Sequence, residues 1–558
     1  MDAKSEEERY QVIVVGAGVS GLAAARHLLK SGVNSVLILE ATSKPGGRIS
    51  TLKFGKESQG HHGGEAGLIE LGAQWIHGER NEFCQLLKAS NHRHSKTSWE
   101  GKGDFLCPNG MKVGNEIVDE VLGWLEEAIE KVEATFSIET LQKEKNGEAD
   151  SNGNLSMGLY LQERFLAYMT EQYPDLTEGS YYYDLRMALF QWGMSFQRID
   201  NSCSKMNDVS LYRWSEFEVN PGEHYNNFRR GAQSFVDEVL VGDILQSYIM
   251  YNCPVQNIQW NDSGVTITTK NGSSFCAQTT LVTCSIGVLK SNLESLFTPS
   301  LPKKQTEAIR STGYGPVTKI FLEWAKPWWS PDFKGVQLVW PNEYIDCCNG
   351  KTNKMDSSLE TCWPKTITGF DPVLENPNVL LAWLGGQEAV HAETIPKDII
   401  IDKCVEVLGN FMGSKDIPRP ISAKVSTWNT NEYFQGAYSF RSTDGDAISG
   451  DICSALSDPI TIENVHGTSK PVIVLAGEAL SKTHYSTLHG AYESGIAQSS
   501  KLVQYFHSLN SFIKSPKTLA KFNATEPRQD SSIQICSANG DMNSKFLVPV
   551  AKNIRVPS

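Results

Sequence analysis

Val12-Ile-Val-Val-Gly16-Ala-Gly18-Val-Ser-Gly21-Leu-Ala-Ala-Ala-Arg-His-Leu-Leu-Lys30-Ser-Gly32-Val-Asn-Ser35-Val-Leu-Ile-Leu-Glu40 reads as a strand, a tight turn, a helix and a second strand. Val12 to Val15 has no polar relief, which suits a strand buried on both faces. Leu22, Ala25, Leu28 and Leu29 recur at helical spacing, Gly32 stops the helix, and Ser35 to Leu39 is the next apolar strand. In such a unit Gly16 permits the turn, Gly18 lets backbone approach a pyrophosphate, Gly21 allows close helix packing, and the helix N-terminus supplies amides to phosphate. Glu40 stands nineteen residues after Gly21, where an acid accepts ribose hydroxyls. The competing reading is a structural turn at a strand end.

Beyond Glu40, Pro45-Gly46-Gly47-Arg48 offers a second glycine pair and a fixed cation beside the same phosphate site; a surface turn with a solvated arginine is the alternative. Apolar residues from Ile117 to Val132 mark one face of a long helix with acids opposite. Lys143 to Gly153 has no core-forming pattern and is expected to be an exposed loop. Val255–Ile258, Gly264–Thr269 and Thr280–Cys284, with a turn at Asn271-Gly272, suggest a β-meander. Pro471 to Leu475 repeats the buried-strand pattern, a helix is expected from Gly490 to about Phe506, and the polar tail beyond Lys514 is expected to be disordered.

The 558 residues are too many for one ordinary core. A formal net charge of −13 argues against nucleic acid as a partner and suits a cationic small molecule. Twelve cysteines without a CxxC pair suggest neither a metal clamp nor a disulfide framework, so no metal is expected. The acidic start, without a basic and apolar leader, and the absence of a membrane-length apolar run predict a soluble protein without membrane attachment. Val556-Pro557-Ser558 does not match a peroxisomal Ser-Lys-Leu address, which leaves cytoplasm or nucleus. Oligomeric state is open between monomer and weak dimer.

Taken with Gly16–Gly21 and Gly46–Arg48, the segments Gly72-Ala73-Gln-Trp75-Ile-His77-Gly78, Ala476-Gly477-Glu478 and His489-Gly490-Ala491 resemble the flavin-containing amine oxidase family, in its polyamine oxidase branch. The resemblance implies an α/β fold. A Rossmann-like, glutathione-reductase-type FAD-binding domain would be assembled from residues 1–95, 226–300 and 456–510. A discontinuous α+β substrate-binding domain on a mixed sheet would come from 96–225, helical with an exposed loop at about 143–156, and from 301–455, leaving 511–558 as a flexible tail. It also implies bound FAD, with Gly47 and Arg48 covering the diphosphate, Gly72, Ala73 and Trp75 near the flavin, Glu478 beside Gly477 near the ribityl diphosphate, Val255 at the adenine end, and Leu488 giving an amide to the flavin ring.

Gly315-Pro-Val-Thr-Lys319-Ile-Phe-Leu-Glu-Trp324 looks like the family's strand carrying an active-site lysine. Alternation puts Lys319 on the face of Phe321 and turns Thr318, Ile320, Leu322 and Trp324 the other way. A snorkelling edge-strand lysine is the plainer reading. His77 resembles the animal spermine and acetylpolyamine oxidases, where plant relatives carry glutamate, and would meet the substrate as neutral imidazole. Tyr438 resembles the aromatic wall beside the flavin, and Thr487 stands where monoamine oxidases have a second aromatic. Ala437 replaces their flavin-bonding cysteine, so FAD is expected to be noncovalent. Asp208 and Ser210 resemble the positions that receive a distal amine in animal spermine oxidases; an aspartate there is otherwise a turn or cap residue. Val317 departs from the polar residue common in animal members. The expected activity is oxidation of spermine or N1-acetylated polyamines by O2 at a carbon next to a secondary amine, yielding peroxide. Two rivals remain: a histone lysine demethylase, against which stands the lack of a coiled helical insert, and a nonenzymatic dinucleotide-fold binding module.

Overall fold

The first strand, Arg9–Val15, is buried from Val12 onwards because both of its faces are covered. Val12 and Val14 pack into one core with Leu22, Ala25 and Leu28 of the helix Val19–Lys30, whereas Ile13 and Val15 pack into another with Ile258, Ile267 and Val282. A run without alternation is therefore what a two-sided strand requires. The computed structural model describes residues 9–55, 67–98, 100–145, 156–341, 345–346, 351–352, 358–448, 451–463 and 469–513.

Arg9–Val15 is central in a nine-stranded sheet. Val36–Leu39 lies parallel to it on one side and Ser274–Val282 on the other. The free edge of Ser274–Val282 is shared: Ser274–Ala277 pairs with the meander, and Thr280–Val282 pairs in parallel with Ser469–Leu475. Four parallel strands thus end together at Val15, Leu39, Val282 and Leu475. In an open α/β sheet that carboxyl edge is where ligands bind.

A second, seven-stranded mixed sheet is built around Val317–Glu323 and Asn376–Gly385. Ile320, Leu322 and Trp324 pack on one face with the helix Lys397–Phe411, while Val317 and Phe321 pack on the other with Ile69, Leu71 and Trp383. This is the alternation expected from the sequence, except that every residue of the strand is buried, so Lys319 is no edge lysine. The helices Asn115–Thr135, Met157–Gln172 and Tyr181–Asp200 form a third core through Val121, Leu125, Phe165, Leu189 and Phe190. The fold is α/β, a Rossmann-like dinucleotide sheet beside a mixed sheet with its own helices.

Several element limits differ from expectation. A helix, Ile138–Lys145, runs into the segment expected to be a loop from 143; 146–155 and 514–558 lie outside the described residues. The last helix spans Leu488–Ile513, so the boundary drawn at 510 falls inside it. The boundaries at 95 and 455 likewise cut the strand Arg93–Thr97 and the helix Ile452–Ser457. Met1–Phe506 is one compact unit and His507–Ser558 a second. Among the described residues no helix is long and apolar enough to cross a membrane.

Candidate active site

A cavity of about 1190 Å³ opens at the carboxyl edge of the dinucleotide sheet and reaches the mixed sheet. Gly16, Gly18, Glu40, Gly47 and Arg48 line its first part. Gly16 has φ +102°, and a Cβ there would stand 2.6 Å from Thr283 Oγ1. Gly18 bridges to Gly46, and a Cβ on Gly18 would meet only Gly47 Cα, at 3.9 Å, so the two glycine runs lie against one another. Gly21 does not line the cavity. A Cβ on it would come 2.0 Å from the Gly16 carbonyl oxygen, so this glycine seats the helix on the strand.

The helix Val19–Lys30 has no side-chain cap and no acid in its first turn, which leaves its first amides for an anion. Glu40 is 6% exposed, and its oxygens accept from the Ala17 amide at 2.7 Å and the Thr42 amide at 2.8 Å. It braces the glycine turn; Oε1 accepts from Thr42 Oγ1 as well, at 2.7 Å, and Oε2 keeps a lone pair for a hydroxyl. A backbone cradle, an uncapped helix N-terminus and a buried acid fit the pyrophosphate and ribose of a dinucleotide. Val255 lines the same cavity.

Arg48 and Glu478 form an ion pair at 3.0 Å. Arg48 also donates to the Ala437 carbonyl at 2.8 Å, and the other Glu478 oxygen accepts from Ser439 Oγ at 2.5 Å and the Ser486 amide at 2.8 Å. The glycine pair, the Tyr438 segment and the start of the last helix are thereby tied together around the cavity, where Gly477 and Leu488 also lie. The Glu478 carboxylate is occupied by protein partners, so it works as a clamp. Ala437 lines the cavity without a nucleophile. The Cys284 thiol, also in the lining, is pushed up to about 12 by burial, with the Glu40 carboxylate adding to the shift.

Deeper in, Lys319 is 2% exposed. Its Nζ donates at 2.9 Å to the carbonyls of Glu70 and Gly72 and to Gln74 Oε1, and lies 4.4 Å from the Trp383 ring centre. Gly72 is needed for the close packing of its own segment on Arg48: a Cβ there would collide with the Arg48 carbonyl at 2.0 Å. Burial lowers the lysine to about 8 against the opposing pull of the Glu100 and Glu70 carboxylates. Trp75 stacks on Trp383 at 5.8 Å and meets Tyr225 edge-on, so the lysine sits in an aromatic wall with Ala73 beside it in the lining.

Tyr438 and His77 face the same cavity. The Tyr438 hydroxyl donates to the Ile199 carbonyl at 2.5 Å, which fixes its ring. Burial holds His77 down at about 4, with His224 nearby, so His77 is a neutral imidazole near pH 7. Thr487 also lines the cavity, but its hydroxyl is committed: it donates to the His484 carbonyl at 2.7 Å and accepts the Gly490 amide at 3.0 Å, capping the last helix.

Asp208 and Ser210 are not in the lining. Ser210 is fully buried and bonds both Asp446 oxygens at 2.8 Å, and Asp208 ends a short turn beside Lys205 and Asp444. A carboxyl that does line the cavity alongside Lys319 and Tyr438 is Asp200, at the end of the helix Tyr181–Asp200, with Asn201 next to it; Glu133 and Glu218 are in the lining too. Asp200 is open to the cavity yet enclosed by protein further out, and this enclosure, together with the Glu100 carboxylate, pushes it up to about 7. Its only sequence signal is a helical stretch ending in an acid. Gln74 lies within the Gly72–Gly78 segment without being singled out, and Glu100 and Trp383 had no signal, because only folding brings them to Lys319.

A dinucleotide cradle continuous with an enclosed lysine and an aromatic-walled chamber defines an FAD-dependent amine oxidase. Residues 19–503 match the family model described as "Flavin containing amine oxidoreductase". The chain belongs to that family. Similar proteins include a Bos taurus peroxisomal N(1)-acetyl-spermine/spermidine oxidase, 29% identical over 88% of this chain and 94% of that protein. A probable polyamine oxidase 5 of Arabidopsis thaliana is 28% identical over 89% of this chain and 99% of its own. A putrescine oxidase solved with putrescine shares the fold at TM-score 0.63 and 17% identity, covering 89% of this chain and 99% of that one.

Proposed function

We propose that this chain is a polyamine oxidase acting on spermine, with N1-acetylated spermine or spermidine as the second substrate class. One observation carries the reading: the lining that Lys319 shares with Trp75, Trp383, Tyr438 and neutral His77 also holds a carboxyl, Asp200, and the acids Glu133 and Glu218 line the same cavity. An apolar wall favours an uncharged reacting nitrogen, and a separate acid receives a second, protonated nitrogen of the same chain. A monoamine has nothing to place there. The names of the cattle and Arabidopsis relatives support the same substrate class.

Noncovalently bound FAD supplies the acceptor for two electrons and a proton. The protein's residues do the positioning: Tyr438 and Trp383 flank the substrate, and neutral His77 accepts a hydrogen bond from a substrate ammonium. The overall reaction takes one amine, one O2 and one water to a shorter amine, an aldehyde and hydrogen peroxide. Purified protein mixed separately with spermine, N1-acetylspermine, spermidine and putrescine, with peroxide measured, tests the proposal. Turnover of the first or second is expected, and a lack of peroxide from every one overturns it.

A further inference from the structure

Lys319 Nζ is surrounded by three acceptors, which are the carbonyls of Glu70 and Gly72 and the amide oxygen of Gln74. An ammonium satisfies all three, but a neutral amine has only two hydrogens and one lone pair, so one contact must then reverse its polarity. The carbonyls belong to the backbone and cannot turn. Gln74 can, because rotating its amide exchanges Oε1 and Nε2 without moving the heavy-atom frame. The far end of Gln74 is also held: Nε2 lies 2.9 Å from Glu100 Oε1 and 3.4 Å from Ser98 Oγ. After the turn, Oε1 needs a donor where Glu100 now accepts.

Glu100 is suited to provide one. It is 7% exposed, and among the described residues its Oε2 is buried without a hydrogen-bond partner. A buried carboxylate with an orphaned oxygen gains by taking up a proton. Burial raises its proton affinity against the opposing pull of Lys319, and its own charge in turn raises the Asp200 and Asp371 carboxyls nearby. The titratable groups facing Lys319 itself are Glu70 and Glu100. Glu70 has other work: its Oε1 accepts from the Ala232 amide at 2.7 Å and its Oε2 from Thr51 Oγ1 at 2.8 Å.

We propose that Glu100 is the proton store of Lys319, and that the Gln74 side chain turns over as the proton is relocated. In one state Lys319 is an ammonium donating to Gln74 Oε1, and Gln74 Nε2 donates to the Glu100 carboxylate. In the other, one N–H bond of Lys319 has been lost and one O–H bond of Glu100 formed. Gln74 Nε2 then donates to the lysine lone pair, and the Glu100 hydroxyl donates to Gln74 Oε1. No net charge enters or leaves, and two opposite buried charges become none. Lys319 thus becomes neutral, its lone pair held by Gln74, without expelling a proton to solvent. Glu100 and Gln74 are positioning residues here, acting through the lysine. Burial brings the two ends close in proton affinity, Lys319 down to about 8 and Glu100 up to about 7. The inference depends on bound flavin and not on which amine is oxidised.

The test uses flavin-loaded full-length protein without substrate. The visible flavin spectrum is titrated with pH in wild type, Lys319→Met, Glu100→Gln and Glu100→Asp. Wild type is expected to show a transition that Lys319→Met abolishes. In Glu100→Gln, where the anion is gone, the transition moves to lower pH by about one unit, a tenfold change in ionisation constant, and Glu100→Asp, which keeps the acid, restores it toward the wild-type position. Infrared difference spectra between wild type and Glu100→Gln should show a protonated-carboxyl C=O band in the wild type. A wild type without a Lys319-dependent transition, a transition left in place by Glu100→Gln, or the lack of that infrared band overturns the proposal. Should Glu100→Gln fail to take up flavin, Gln74→Met severs the same connection with both end groups kept, and an unmoved transition there overturns it equally.

Discussion

Asp200 and Arg48 carry the residue-scale expectations. Asp200 is pushed up to about 7 by its enclosure, so it is an anion above that pH and neutral below it. Asp200→Asn should raise KM for spermine about tenfold or more at pH 8, the worth of one charge-assisted hydrogen bond, with kcat changed less. The ratio of mutant to wild-type KM should shrink as pH falls through 7, because the wild type then loses its own charge; steady-state kinetics at several pH values checks this. Arg48→Ala leaves Glu478, whose side chain is 6% exposed, as a buried acid without its cation. That loss costs about 3–5 kcal/mol, and the variant should unfold at lower temperature and emerge from gel filtration with less bound flavin.

Two elements depend on single contacts. The last helix, Leu488–Ile513, starts on the Thr487 hydroxyl, which takes the Gly490 amide. Thr487→Val keeps the shape and removes the cap, so stability should fall by about 1 kcal/mol in denaturant titration while flavin colour is retained. The seat of the helix Val19–Lys30 on the first strand is less forgiving. In Gly21→Ala the new methyl would lie 2.0 Å from a backbone oxygen of Gly16, and neither backbone can yield without opening the phosphate cradle. This variant should be recovered colourless or insoluble, as judged by flavin absorbance per mole of protein. Overpacking alone costs about 1–3 kcal/mol, and here it falls on the cofactor site itself.

At the scale of the whole molecule the formal net charge of −13 sets a field that attracts a polycation. For spermine, kcat/KM should fall more steeply with ionic strength than for a monoacetylated polyamine of lower charge; stopped-flow flavin reduction at graded salt measures it.

What was legible in the residues alone was whatever contiguous sequence dictates. Strand, glycine turn, helix and Glu40 follow one another within 29 residues, and each step has a local steric reason. The two faces of Val317–Glu323 follow from the twofold repeat of any strand. The tertiary structure decided which charges share one low-dielectric chamber. Asp208 resembles an amine-binding position, yet the turn after Asp200 carries it and Ser210 toward Asp444 and Asp446, and leaves Asp200 facing the cavity. Lys319 lies more than 200 residues from Gln74 and Glu100, which are 26 residues apart, and the three meet only in the folded chain. Local sterics are written in neighbouring residues, whereas the affinity of a buried group for a proton depends on everything the fold packs around it.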